Sequence, residues 1–153
     1  MVKVPAVKIK LAWIGKTKEP AIQMLTNEYL NRLSRYADVE AVTLRDEATL
    51  MKLRERSGTR PVHTLVLLDG RGKQLSSEEF AKFLQDHESR NLQPLLFAVG
   101  PADGFTDATR KAAAFTLSLG KMTLPHELAR IVLLEQLYRA FTILKGHPYH
   151  LGH

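Results

Sequence analysis

The stretch Leu117-Ser-Leu-Gly-Lys-Met-Thr-Leu-Pro-His-Glu-Leu-Ala-Arg130 runs on into Ile131-Val-Leu-Leu-Glu-Gln-Leu-Tyr-Arg-Ala-Phe-Thr-Ile-Leu-Lys145 and closes with Gly146-His-Pro-Tyr-His150. It reads as a loop, one long helix and a compact polar tail. The helix is expected from about Glu127 to Lys145, with Gly146 as its stop and Pro148 barring resumption. Its apolar residues, from Leu128 and Ile131 to Ile143 and Leu144, go most of the way round rather than along one stripe. Such a helix is buried on more than one side. In a short chain the rest of the fold covers one side, and the other asks for a partner, most simply a twofold copy. Glu135 and Arg139 stand four apart and can pair on the helix surface.

Upstream, two periods alternate. Val7–Ile14 places Val7, Ile9, Leu11 and Trp13 on one side of a strand, with Lys8 and Lys10 between them. Glu19–Leu33 reads as a helix with Pro20 in its first turn, Val39–Leu44 as a second strand and Asp46–Arg56 as a short helix. Thr64–Leu68 and Pro94–Val99 are unbroken apolar runs, the mark of strands covered on both faces. Asp69–Lys73 follows the first run as a loop, and Ser76 with Glu79 forms a capping box for a helix to about His87. Gly100–Gly104 follows the second run. Thr106 or Asp107 then caps a helix to about Phe115, and Thr116–Leu119 is a last short strand. Strands alternating with helices specify an α/β fold: a mainly parallel sheet with helices on both faces. Residues 1–153 read as a single domain.

Composition narrows the function. The chain has no cysteine, which excludes disulfides and thiolate metal sites, and no His, Asp and Glu spacing on one helix face suggests zinc. Lysines interrupt the apolar residues of the N-terminus, unlike a signal peptide, and no apolar run approaches a membrane span, so a cytoplasmic protein is expected. A net charge of +6 favours a polyanionic partner such as nucleic acid, although many basic proteins bind none.

Three loops leave the carboxyl ends of apolar strands: Asp69–Lys73, Gly100–Gly104 and Gly120–Pro125. Ligands of open α/β sheets bind at that edge. None of the three matches a dinucleotide or phosphate loop, and ordinary turn chemistry would also explain their glycines. His126 at the helix start is either a capping residue or a catalytic one. Arg130 and Arg139 lie in an otherwise apolar helix. For Arg139 the alternatives are an ion pair with Glu135 and a contact with RNA. His147, Tyr149 and His150 form either a frayed end or a lid that stacks on a flipped base.

The run Thr123-Leu-Pro-His-Glu-Leu-Ala-Arg130, the run Glu135-Gln-Leu-Tyr-Arg-Ala140 and the tail His147-Pro-Tyr-His150 resemble the RlmH family, bacterial methyltransferases of the SPOUT superfamily that act on pseudouridine in large-subunit ribosomal RNA. The similarity covers about Val7 to His150. It implies a C-terminal trefoil knot and a homodimer with the long helices in its interface. It also implies S-adenosylmethionine held by Leu68, by Gly100 and by the run Gly120, Lys121, Met122, Thr123, Leu124 and Pro125. The implied reaction is methylation of the N-3 of a pseudouridine in 23S rRNA, on the assembled ribosome. His126 would orient or accept the proton, Arg139 would stabilise negative charge, and Tyr149 and His150 would seat the base. The alternatives are a related methyltransferase for another RNA nucleotide and a non-catalytic ribosome- or RNA-binding module. The chain departs from the family pattern at Val99-Gly100, where a glycine pair is usual, and at Gly120, where serine is common. It departs again in a short, arginine-rich Leu44–Pro61 segment and at its Leu151-Gly152-His153 end.

Overall fold

The alternation in Val7–Ile14 becomes a division between two faces of a sheet. Ile9, Leu11 and Trp13 enter one apolar cluster, while Ala12 and Ile14 enter a second. The computed structural model describes residues 7–90, 93–101 and 103–150; the Leu151-Gly152-His153 end lies outside them. The elements run β1 (Val7–Ile14), α1 (Pro20–Leu33), β2 (Ala37–Leu44), α2 (Glu47–Arg54), β3 (Thr64–Gln74), α3 (Ser77–Arg90), β4 (Leu95–Val99), α4 (Asp107–Ala112), β5 (Phe115–Ser118) and α5 (His126–Lys145). The strands lie in the order β2-β1-β4-β3-β5 and every pairing is parallel. All carboxyl ends therefore share one edge.

Both faces are covered, as the unbroken runs of β3 and β4 require. Val66, Leu68, Leu95, Phe97 and Val99 pack with Leu33 of α1, Phe80 and Leu84 of α3, and Leu134, Leu137 and Phe141 of α5. Leu65, Leu67, Leu96 and Ala98 pack with Leu50 of α2 and with Phe105. The capping box forms: Ser76 Oγ accepts the Glu79 N–H at 3.0 Å, and Glu79 accepts the Ser76 N–H at 2.8 Å. Gly146 ends α5 at φ 71°.

Of the boundaries that differ from the sequence reading, two shape the carboxyl edge. β3 does not stop at Leu68. Leu117 pairs with Leu68 and again with Lys73, so residues 69–72 loop out of a strand that resumes at Lys73. Gly72 permits the return, since a Cβ there would lie 2.5 Å from the Thr116 carbonyl oxygen. The helix expected to reach Phe115 ends at Ala112, because Phe115 pairs with Val66 in β5 and sets its ring against Phe83 at 5.0 Å. The chain itself also covers much of α5: Leu133, Leu134, Leu137, Ala140 and Phe141 are buried. What stays open is Leu128, 42% exposed, with Met24 and Leu25 of α1.

One buried charge fastens this layer. Arg130 is fully buried, donates to Thr17 Oγ1 and to the Gly15 carbonyl, each at 2.9 Å, and lies over the Trp13 ring at 5.6 Å. Arg130→Ala removes the contacts and leaves the Gly15 carbonyl short of a donor. The expected loss is about 3 kcal/mol, or a Tm lower by about 6–12 °C at this chain length. Arg130→Lys should recover part of that. A calorimetric Tm unchanged in Arg130→Ala would remove this link from the account.

Candidate functional site

The carboxyl ends of β3, β4 and β5 open into a cleft of about 700 Å³. The first wall is the excursion after Leu68, where Asp69 Oδ1 accepts the Arg71 N–H at 2.9 Å. The second is the turn after β4. Gly104 donates its N–H to the Pro101 carbonyl at 2.9 Å, and the Phe105 ring folds beneath Gly100, 2.8 Å from where a Cβ would stand. Glu47 reaches across from α2 to accept from Thr106 and Thr109 at the start of α4. Burial alone would raise the pKa of Glu47, but these bonds outweigh it and hold the carboxyl below its usual range. The third wall is Leu119–Pro125, where Ser118 Oγ accepts the Gly120 N–H at 3.2 Å and donates to the Gly120 carbonyl at 3.0 Å.

Leu68, Gly100, Gly120, Lys121, Met122, Thr123, Leu124 and Pro125 all line this cleft, and His126 stands at its lip. Glu127 beside it accepts the backbone N–H groups of Lys18 and Glu19 at 2.9 and 3.2 Å, which fastens the β1–α1 loop to the start of α5. The sequence reading missed Asp69, Asp103 and Arg110 as wall residues. The two aspartates lay inside loops already singled out. Arg110 left no signal, because it sits in a helix and enters the wall by the length of its side chain.

Arg139, Tyr149 and His150 form a second group. Arg139 holds Glu135 through Nε at 3.2 Å and Nη2 at 2.8 Å, and its guanidinium lies over the Tyr149 ring at 5.0 Å. The Tyr149 hydroxyl donates to Glu135 at 2.8 Å. Arg139 Nη1 meets His150 Nδ1 at 2.9 Å, and His150 Nε2 meets Glu78 at 2.7 Å. A guanidinium can only donate, so Nδ1 accepts and Nε2 carries the hydrogen given to Glu78. His147 completes the tail, its backbone N–H on the Thr142 carbonyl and its ring against Tyr36. The tail is thus docked, not frayed. His126 is not part of this group: Arg139 stands thirteen positions farther along α5, about 20 Å of helix.

The family model described as "Predicted SPOUT methyltransferase" matches residues 7–150. The chain belongs to the SPOUT methyltransferase family. Among its relatives is the ribosomal RNA large subunit methyltransferase H of Koribacter versatilis, 60% identical over 147 residues, which are 95% of this chain and 99% of that protein. The protein of the same name from Geotalea daltonii is 44% identical over 151 residues, covering 94% and 99%. Among solved structures, the SpoU methyltransferase AviRb of Streptomyces viridochromogenes, in complex with the cofactor AdoMet, superposes with a TM-score of 0.52 at 16% identity, over 95% of this chain and 61% of that one. A probable methylase family protein of Haemophilus influenzae superposes at 0.61 with 9% identity, over 94% and 70%. At those identities the two structures speak for the fold alone. Among the described residues of this SPOUT chain, no helix is long and apolar enough to cross a membrane, and no group of three or more His, Asp and Glu could hold a metal.

Tyr149 gives the second site a measurable signature. Burial, and then its bond to the Glu135 carboxylate, pushes its pKa up to about 12. A raised pKa means the bond stabilises the docked tail fully below pH 10.0, the ordinary tyrosine value, and is lost as pH climbs through about 12. Carbon-13 NMR of labelled tyrosines should show one phenol titrating near 12, and Glu135→Gln should bring that midpoint down. Titration of all four tyrosines near their ordinary value would contradict the docked tail.

Proposed function

We propose that this chain is an S-adenosylmethionine-dependent methyltransferase that methylates the N-3 of a pseudouridine in large-subunit ribosomal RNA, working as a homodimer on the assembled ribosome in the cytoplasm. The observation that carries the reading is the three-walled cleft at the carboxyl edge, with His126 at its lip, in a chain 60% identical over almost its whole length to a protein named for ribosomal RNA methylation. The C-terminal trefoil knot belongs to the same reading, as the resemblance to the family implies.

The cleft suits the cofactor. Its volume is within the range of small-ligand pockets. Leu68, Leu119, Leu124 and Ala129 offer apolar walls to an adenine ring, and Asp103 offers negative charge to the cationic end. Gly100 and Gly120 let backbone groups come close. When bound, S-adenosylmethionine supplies the electrophilic methyl group. The chain then has to align the base and see the N-3 proton off. His126 orients the ring or accepts that proton at the lip. Arg139 faces the negative charge that develops on the ring. Tyr149, its hydroxyl held by Glu135, and His150, its Nε2–H held by Glu78, seat the base by stacking rather than take its proton.

The separation of the two groups supports a homodimer. About 20 Å of α5 lies between His126 and Arg139, so one copy does not bring both to a single base. A second copy with its α5 reversed against the first sets the tail group of one beside the cleft of the other. Leu128, Met24 and Leu25 supply exposed apolar surface for that contact.

Calorimetric titration with S-adenosylmethionine, with the solution mass recorded, should find binding by a dimer. Arg139→Ala should keep that binding within about twofold and lower methylation of ribosomes by about 100-fold or more. Mixed dimers pairing an Arg139→Ala subunit with a Gly100→Val subunit should regain activity that neither parent shows. Absence of cofactor binding by the folded dimer sinks the enzymatic reading and leaves an RNA-binding module. Mixed dimers that stay inactive sink the shared site.

A further inference from the structure

Among the described residues of the turn after β4, a backbone bond joins Gly104 to Pro101. One side chain from outside the turn reaches both it and the first wall. Arg110 roots in α4, outside all three strand-end loops, and its side chain is only 21% exposed. Its Nη1 reaches Asp69 Oδ2 in the first wall at 3.4 Å and also donates to the Phe105 carbonyl at the end of the second. Nη2 donates to Asp107 on its own helix. Asp69, 9% exposed, has its other oxygen on the Arg71 N–H. Phe105 carries the ring beneath Gly100. One guanidinium therefore touches both walls, and the residue it holds in the second wall is the one on which Gly100 rests. Its root is fixed as well, because Glu47 holds Thr106 and Thr109 from the far side of α4.

We propose that Arg110 is a positioning residue that, through Asp69 and the Phe105 carbonyl, locks the first and second walls of the cleft at the spacing S-adenosylmethionine requires. This rests on the methyltransferase reading for its ligand, although the lock itself does not. The competing role for Asp69 is direct contact with the cofactor. The two roles diverge in Arg110→Ala, which leaves Asp69 present and freed of its partner.

The test uses the whole protein. S-adenosylmethionine affinity is measured for the parent, Arg110→Ala, Arg110→Lys, Asp69→Asn and the double variant. Asp69→Asn keeps the oxygen that accepts the Arg71 N–H while removing the ion pair. Arg110→Ala and Asp69→Asn should each weaken binding by about tenfold, and the double variant should be no weaker than either single one, as contacting groups that act together require. Arg110→Lys should recover part of the loss. The KM for S-adenosylmethionine should rise while kcat at saturation holds, the mark of lost cofactor positioning rather than lost chemistry. Amide exchange in the ligand-free protein should quicken at Gly104 and Arg71 in Arg110→Ala. Parent-like affinity in Arg110→Ala, or losses that simply add in the double variant, would overturn the proposal. Unchanged exchange at both amides would overturn it even if the parent binds no S-adenosylmethionine. That last result alone, with exchange quickened, would instead break the methyltransferase reading and keep the lock.

Discussion

The buried guanidinium of Arg130 joins the last helix to the first strand. It bonds the Gly15 carbonyl across 115 residues of sequence and lies over Trp13, which itself belongs to the larger apolar cluster. Arginine is almost never fully buried without partners, so α5 can cross the sheet only where Gly15 and Thr17 meet it. That single position has consequences along the helix. It sets His126 one turn earlier at the mouth of the cleft, and it sets Glu127 against the backbone N–H groups of Lys18 and Glu19. Farther along, it sets Glu135 and Arg139 near the start of α3, where Ser77 bonds Gln136 at 2.7 Å. The loops at the carboxyl edge take their shape around a helix whose register is already determined.

Much of this was legible in local pattern. The period of two in β1, the unbroken runs of β3 and β4 and the Ser76–Glu79 box each state their structure within a few residues, because each depends on neighbours close in sequence. The Glu135–Arg139 pair was legible for the same reason, four residues being one helical turn. The return of β3 to the sheet at Lys73 was not legible, since only β5 selects that register, and β5 lies some forty residues on. The partners of Arg130 and the reach of Arg110 were hidden too. A long cationic side chain in a helix looks solvated until the tertiary fold supplies its acceptors. The cleft itself was foreseen because a parallel sheet puts its strand ends together, and a strand end is visible in a sequence where an apolar run stops at glycine or aspartate.

The second site poses an electrostatic question. Arg139 is already paired with Glu135, so its charge is balanced before any substrate arrives. Yet the partner on Nη1 is different in kind: His150 Nδ1 is a neutral acceptor. A ring that gains negative charge at that position exchanges a neutral acceptor for a charged one, and charge-assisted bonds are about twice as strong as neutral ones. The exchange breaks no ion pair, because Nε and Nη2 keep their hold on Glu135. The displaced His150 retains Glu78 on its other nitrogen. Glu135 also anchors the Tyr149 hydroxyl, so the donor that would face the base and the phenol beside it move as one body. Under the proposed reaction, the arrangement would suit a substrate whose charge appears only as the reaction proceeds. A ground-state base, neutral at N-3, gains little over the histidine it replaces, whereas the anionic ring gains the full difference, and a gain made only in the transition state is the kind that raises turnover.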